Sequence, residues 1–329
     1  MSNNLEAVYG STVVDAEQCI KSFKEATTHF KQRQSFLYHE DGSKTPYQHQ
    51  VIASAKKTGR YETAVLYHSG YNGNALSEEW EAPNLCNNLF LAVQELIAAG
   101  YEPAQDIIIH TMSHPGSGEA KGVVHGLGSM VECVDQSLQK LPTVSNYGLY
   151  GSSMGVDLLM KGFQRHEDGR TTKASYEREL PLRGVFGVSS ALNGFDDNKF
   201  TALKDRMNIA QSIAYAAGYA VNVDGYRVSK AFEKDALGNL MDGFQGRFRR
   251  LNMRFLHAEK DGVVPYVEAL GKAESLLGRH AEFVEMNFET DGVQAHLARS
   301  PENLKFIREQ TKDWLVKVCE GRRAQKLSI

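Results

Sequence analysis

Along this chain, short apolar runs of strand length alternate with stretches whose apolar residues recur every three or four positions. The first pattern predicts strands and the second helices. The strand-like runs are Ser35 to Tyr38, Tyr47 to Ala53, Val65 to His68, Asp106 to His110, Tyr147 to Tyr150, Leu182 to Val188 and Met253 to Leu256. A last one has Val284, Met286 and Phe288 alternating with Glu285 and Asn287. The first two are joined by the turn Glu40-Asp41-Gly42-Ser43, and Ile107-Ile108-Ile109 suits a strand buried on both faces. Leu85, Leu89, Ala92 and Leu96 mark a helix that Gly100 stops, and Leu127, Met130, Val134, Leu138 and Leu141 mark another. Strands and helices in turn predict an α/β fold, a mostly parallel central sheet with helices on both faces.

The alternation breaks between about Ala191 and Arg250. Leu203, Met207, Ala210, Ile213 and Ala217 fall at helical spacing there, and a second helical segment spans Val228 to Met241. Residues 191–251 are therefore expected to form a helical insertion, and 34–190 with 252–329 the core. Residues 1–33, with Cys19, Ile20 and Phe23 in a helical context, are expected to form an N-terminal helical extension. The segment Ser113-His114-Pro115-Gly116-Ser117-Gly118 is expected to be a loop, because proline and glycine interrupt both regular structures.

Composition narrows the function classes. With 329 residues, 42% of them hydrophobic, the chain can bury a full core. A net charge of −3 gives no electrostatic reason to expect nucleic acid or an anionic membrane surface as partner. Cys19, Cys86, Cys133 and Cys319 are far apart and lack metal-ligand spacing, so reduced thiols are expected. The segment Met1 to Glu6 has neither the basic cap nor the apolar core of a signal peptide, and the weakly polar run 209–223 is too short to span a bilayer. The expectation is a cytoplasmic protein with a small-molecule substrate; oligomeric state is not readable. Neither Gly116-Ser117-Gly118 nor Gly126-Leu127-Gly128 completes a phosphate-binding motif.

The candidate chemistry lies in Gly151-Ser152-Ser153-Met154-Gly155, a G-x-S-x-G between an apolar strand and the helix start Val156 to Met160. A serine on so sharp a turn needs small neighbours, because its backbone is strained and a nearby Cβ would crowd helix against strand. Ser153 is the candidate nucleophile, and a serine hydroxyl needs a base and a group to orient that base. Asp261 lies in the polar turn after the run ending near His257, with Pro265 opening the next helix. His296 lies after the following strand. Glu259 and Asp291 are rival carboxylates, though Asp291 is close to His296 in sequence for a residue on another strand end.

The order Ser153, Asp261, His296, each at a strand end, resembles that of the α/β-hydrolase superfamily over nearly the whole chain. The stretch Thr63 to Asn74 resembles the family's oxyanion-hole loop. Two departures stand out: Val156 replaces a frequent second glycine, and Ser69 intervenes between His68 and Gly70. Tyr71 donates if Ser69-Gly70 matches the family's His-Gly, and Gly70 donates if His68-Ser69 does; Met154 supplies the second N–H. His68 reads as a structural residue at a strand end.

The resemblance implies a helical cap at 191–251, where Met207, Tyr215, Tyr219 and Tyr226 either pack the cap or line an acyl pocket. It also implies a serine hydrolase acting on a carboxylic ester or thioester through an acyl-enzyme intermediate, with no metal or organic cofactor. The alternatives are an acyltransferase or peptidase on the same triad, or a non-enzymatic ligand-binding member of the fold.

Overall fold

The structure, a computed structural model, describes residues 33–38, 44–53, 61–70, 85–112, 127–141, 143–172, 181–190, 197–223, 226–237, 251–264, 266–277, 281–286, 292, 298 and 300–321. The expected N-terminal extension, the loop at 113–118, Tyr71, Asp291 and His296 lie outside the described residues.

Among the described residues, ten strands form two sheets. The large one contains β1 (Arg33–Tyr38), β2 (Lys44–Ala53), β3 (Thr63–His68), β4 (Ile107–Met112), β5 (Asn146–Ser152), β6 (Leu182–Val188), β9 (Asn252–Ala258) and β10 (Ala281–Met286). Its order is β1-β2-β4-β3-β5-β6-β9-β10. Strand β2 runs antiparallel to both neighbours, and the six strands from β4 to β10 are mutually parallel. The helices are α1 (Leu85–Ala98), α2 (Leu127–Lys140), α3 (Met154–Thr172), α4 (Asp197–Asp205), α5 (Ile209–Ala216), α6 (Lys230–Leu237), α7 (Tyr266–Leu277) and α8 (Pro301–Glu320). A short 3-10 turn, Glu102–Asp106, precedes β4, so this strand starts one residue later than its apolar run suggests. Gly100 takes a left-handed φ of +82° just past α1, the stop that its position predicts.

Strand alternation separates two cores. Ala64, Leu66, Tyr147, Leu149, Val185, Met253 and Phe255 face α2, α3 and the insertion. Val65, Tyr67, Tyr150, Phe186 and Leu256 face α1 and α8. Helix α8 starts from a firm signal: Ser300 Oγ accepts the N–H of Asn303 at 3.1 Å, and Pro301 sits where its missing N–H costs nothing. Its Trp314 is fully buried across the middle of the sheet. A Cβ on Gly148 of β5 or Gly184 of β6 would come within 2.7 Å of the indole, so the two glycines form its floor. The indole N–H donates to the Asn252 carbonyl at 3.2 Å, and the ring meets Phe186 and Tyr150 at 5.6 Å and 6.0 Å between centroids.

The insertion between β6 and β9 holds α4, α5 and α6, but it is not wholly helical. Val221–Val223 and Tyr226–Val228 pair antiparallel as the hairpin β7-β8, and the second helix starts at Lys230 instead of Val228. Two β-branched residues bracket each exposed position of β7, and Asp224-Gly225 between the strands is a strong hairpin signal. Phe200, Tyr215, Val221, Val223, Val228 and Phe232 join the same core as α2 and α3. Tyr215 and Lys204 both bond to Glu233, tying α4, α5 and α6 together. Among the described residues no helix is long and apolar enough to cross a membrane.

Replacing Trp314 by Ala removes the largest buried side chain from a floor that cannot collapse around it. The expected loss is about 3–5 kcal/mol of folding stability, read as a lower urea midpoint with an unchanged slope.

Candidate active site

Ser153 follows β5, Gly70 follows β3 and Asp261 follows β9, each at the carboxyl end of its strand. Strand β5 ends at Ser152, helix α3 begins at Met154, and Ser153 alone makes the turn between them. Its φ is +48°, in the left-handed region that residues with a Cβ avoid. That conformation costs roughly 1–2 kcal/mol and needs its surroundings to hold it. The Ser153 N–H donates to the Val188 carbonyl at 2.8 Å, which fixes the turn against the end of β6.

Glycines make the turn sterically feasible. A Cβ at Gly155 would stand 2.4 Å from the His68 carbonyl oxygen and 2.6 Å from that of Ser69, so the start of α3 lies against the backbone of β3. At Gly151 a Cβ would be 2.9 Å from the Val156 nitrogen. On the other side, a Cβ at Gly70 would be 2.9 Å from Ser153 Cβ, so the loop after β3 touches the serine. Val156, which departs from the family's frequent glycine, fits because β6 carries Gly187 opposite; a Cβ there would meet Val156 Cγ2 at 3.3 Å and Phe255 at 2.6 Å.

The loop after β3 shows how its backbone donors are arranged. The Gly70 N–H donates to Ser152 Oγ at 3.1 Å. Tyr71, the next residue, is outside the described residues. His68 is completely buried and its Nδ1–H donates to the Ser69 carbonyl. Burial lowers its pKa to about 4, the backbone hydrogen bond opposing this, so the ring is neutral at pH 7.

Asp261 follows β9 and is 5% exposed, whereas its rival Glu259 is exposed. One carboxylate oxygen, Oδ1, accepts the N–H groups of Val263 and Val264, both at 2.8 Å. His257 lies behind: its Nε2–H donates to the Val264 carbonyl at 2.7 Å, and the same nitrogen is 3.4 Å from Asp261 Oδ2. The segment carrying His296 is joined to this turn through Gly292. Its N–H donates to the Lys260 carbonyl at 2.9 Å and its carbonyl accepts the Gly262 N–H at 3.1 Å, forming a parallel bridge beside Asp261. The left-handed Gly292 (φ +59°) approaches so closely that a Cβ on Gly262 would be 2.9 Å from its Cα. The structure thus brings the acid turn together with Gly292, four residues before His296 in sequence, and separately brings together Ser153, Met154 and Gly70.

Two further residues with side chains also have left-handed backbones: Ser189 (φ +49°), just after β6, and Ala298 (φ +50°), two residues beyond His296. Of the three, Ser153 and Ser189 directly follow the neighbouring strands β5 and β6. Asp157, in the first turn of α3, is a carboxyl that sequence reasoning missed. It is 2% exposed and accepts the Ser190 hydroxyl at 3.0 Å. Burial pushes its pKa up to about 8, with the Ser190 hydrogen bond working the other way. An aspartate in a first helical turn is ordinary in sequence; what sets this one apart is the strand end packed on it.

Other chemistries have less to work with. Among the described residues no group of three or more His, Cys, Asp or Glu side chains is arranged to hold a metal ion. The free thiols of Cys86 and Cys133 are buried, and burial pushes both far above neutral pH, with Glu132 adding to the effect on Cys133. Neither is a thiolate nucleophile.

No protein-family model matches the chain and no curated protein matches it. Solved structures do. A protein of Agrobacterium vitis S4 is 14% identical with a TM-score of 0.57, covering 86% of this chain and 98% of its own. Alpha/beta hydrolase domain-containing protein 10 from mouse is 14% identical with a TM-score of 0.53, covering 87% and 99%. Est1E from Butyrivibrio proteoclasticus, with ferulic acid bound, is 15% identical with a TM-score of 0.54, covering 86% and 98%. At these identities the likeness is one of fold.

Asp157 gives the protein a pH-dependent stability. An unfolded aspartate loses its proton near pH 3.9, whereas the folded one keeps it to about 8. Between these values the native state binds more protons, so stability falls as pH rises through the window. Asp157→Asn should flatten that slope by up to about 1.4 kcal/mol per pH unit, measured by urea unfolding at about pH 5 and about pH 7.5.

Proposed function

From the α/β-hydrolase fold that this chain has, we propose that it is a serine hydrolase cleaving a carboxylic ester or thioester through an acyl-enzyme intermediate. The observation that carries this reading is Ser153 itself: a non-glycine residue at φ +48°, alone on the turn between β5 and α3, with glycines where its neighbours' side chains would collide. A strained turn that lets α3 start against β3 also places this serine at the sheet's carboxyl edge, which supports its reading as a nucleophile.

In this reading His296 takes the Ser153 hydroxyl proton as Oγ attacks the substrate carbonyl carbon. The carbonyl π pair moves onto oxygen, and the N–H of Met154 at the start of α3 receives the developing charge. The commitment of the Gly70 N–H to Ser152 supports Tyr71 over Gly70 as the second donor. When the intermediate collapses, the ester or thioester bond breaks and His296 returns the proton to the departing alcohol or thiol. Water, deprotonated by the same histidine, then attacks the acyl-serine and releases the acid.

Asp261 orients and stabilises the imidazolium. Its burial, and the two N–H groups that fix Oδ1, support this role over Glu259, and the Gly292 bridge supports His296 as its partner. The insertion at 191–251 is read as the cap. Its core-facing aromatics Phe200, Tyr215 and Phe232 serve packing, and no bound metal or cofactor enters any step.

Fluorophosphonate treatment followed by peptide mapping tests the nucleophile. Labelling is expected at Ser153 and absent from Ser153→Ala; a folded protein that takes no label would sink the proposal. For the acid, Asp261→Asn should lower turnover of p-nitrophenyl esters about 10³- to 10⁴-fold with an unchanged circular dichroism spectrum. Survival of activity would pass the role to another carboxylate.

A further inference from the structure

The chemistry just described leaves the buried carboxyl on α3 without a task. Ser190 Oγ donates to Asp157 Oδ1 at 3.0 Å, and both residues are 2% exposed. This bond crosses from the first turn of α3 to the turn after β6. One helical turn earlier the Ser153 N–H donates to the Val188 carbonyl at 2.8 Å across the same gap. Segment 153–157 is thus tied twice to segment 188–190. Between the two anchors on the β6 side stands Ser189, left-handed at φ +49°, its N–H bonded to the Leu256 carbonyl at 2.8 Å. The two segments that carry the strained serines are therefore held to one another by a pair of hydrogen bonds, one on either side of Ser189.

We infer that Asp157 is a positioning residue for the nucleophile: through Ser190 it clamps the first turn of α3 to the end of β6, holding Ser153 and the Met154 N–H in fixed relation. This rests on the reading of Ser153 as nucleophile. A left-handed residue bearing a Cβ persists only where its surroundings over-determine it. Cutting the Asp157 tie removes the anchor at the far end of this first turn and leaves the bond of the Ser153 N–H to Val188 at its near end. Relaxation of the turn toward ordinary helical geometry then moves Oγ and the Met154 N–H apart, and displacements near 1 Å are costly in a preorganised site.

The nature of the contact specifies the test. A carboxamide at position 157 accepts the Ser190 hydroxyl as a carboxylic acid does; a methyl group does not. Since the clamp acts on the reacting groups and not on bound substrate, its loss should lower the limiting rate and spare binding.

The experiment is time-resolved fluorophosphonate labelling of the full chain, reading the limiting rate and the half-saturating concentration. For Asp157→Ala the limiting rate should fall about tenfold or more with half-saturation changed by less than about twofold, and Asp157→Asn should return to within about threefold of wild type. Ser190→Ala should show the same fall as Asp157→Ala, and it carries the test if Asp157→Ala does not fold. Wild-type labelling at Ser153 with Ala variants equally fast, or with Asp157→Asn no faster than Asp157→Ala, overturns the clamp alone. A wild-type protein that takes no label overturns the nucleophile and the clamp with it.

Discussion

The backbone of β3 and the first residues of α3 are in direct contact, and the architecture around them follows from that contact. The carbonyl oxygens of His68 and Ser69 occupy the space that a side chain at position 155 would need. Helix α3 can start this close to the sheet only if the residue before it turns sharply, and a sharp turn from strand to helix forces a left-handed φ at Ser153. The loop after β3 is then pressed against the serine, where Gly70 is the residue that fits. Backbone proximity, more than any side-chain pair, sets the geometry of this edge of the sheet.

Left-handed backbones at Ser153, Ser189 and Ala298 together cost several kcal/mol by general estimate, about 1–2 for each. A protein whose net stability is about 5–15 kcal/mol can carry that only with a rigid support. The support is visible in the two cores and in the hydrogen bonds that cross strand ends: Ser153 to Val188, Ser189 to Leu256, Ser190 to Asp157, and Gly292 to both sides of Asp261. Each links a strand, or the segment following it, to the segment following another strand. The carboxyl edge of the sheet is consequently a single hydrogen-bonded surface running from β5 through β6 to β9.

Much of this was legible from the order of apolar and polar residues. The inner strands lie on runs of the expected length, because strands buried on both faces leave a strong local mark, as Ile107-Ile108-Ile109 does, whereas the edge strand β10, only partly buried, starts three residues before the alternation at 284 that predicts it. The strand ends that carry Ser153 and Asp261 could be read for the same reason. The hairpin at 221–228 was obscured by small residues at helical spacing just before it, although Asp224-Gly225 carried the counter-signal. Helix α8 has a clear Ser-Pro start and apolar residues at 304, 307, 314, 315 and 318, yet nothing local tells that it lies across β5 and β6. Asp157 was invisible for a similar reason: its burial depends on Ser190, thirty-three residues away, and no local pattern encodes that distance.

Glycines at 148 and 184 leave a trough in the sheet that Trp314 fills, with Val318 beside it. Strands β5 and β6 thus obtain their cover on this face from a helix that begins only at Pro301, whereas β6 begins at Leu182. Contacts of such long sequence separation form late, since the intervening chain must first be closed into a loop. On the ribosome, the strands beside the serine turn would emerge with that trough open and stay so until α8 followed. The order of translation therefore leaves an apolar groove on β5 and β6 uncovered for as long as α8 is unmade, an exposure that the finished molecule conceals.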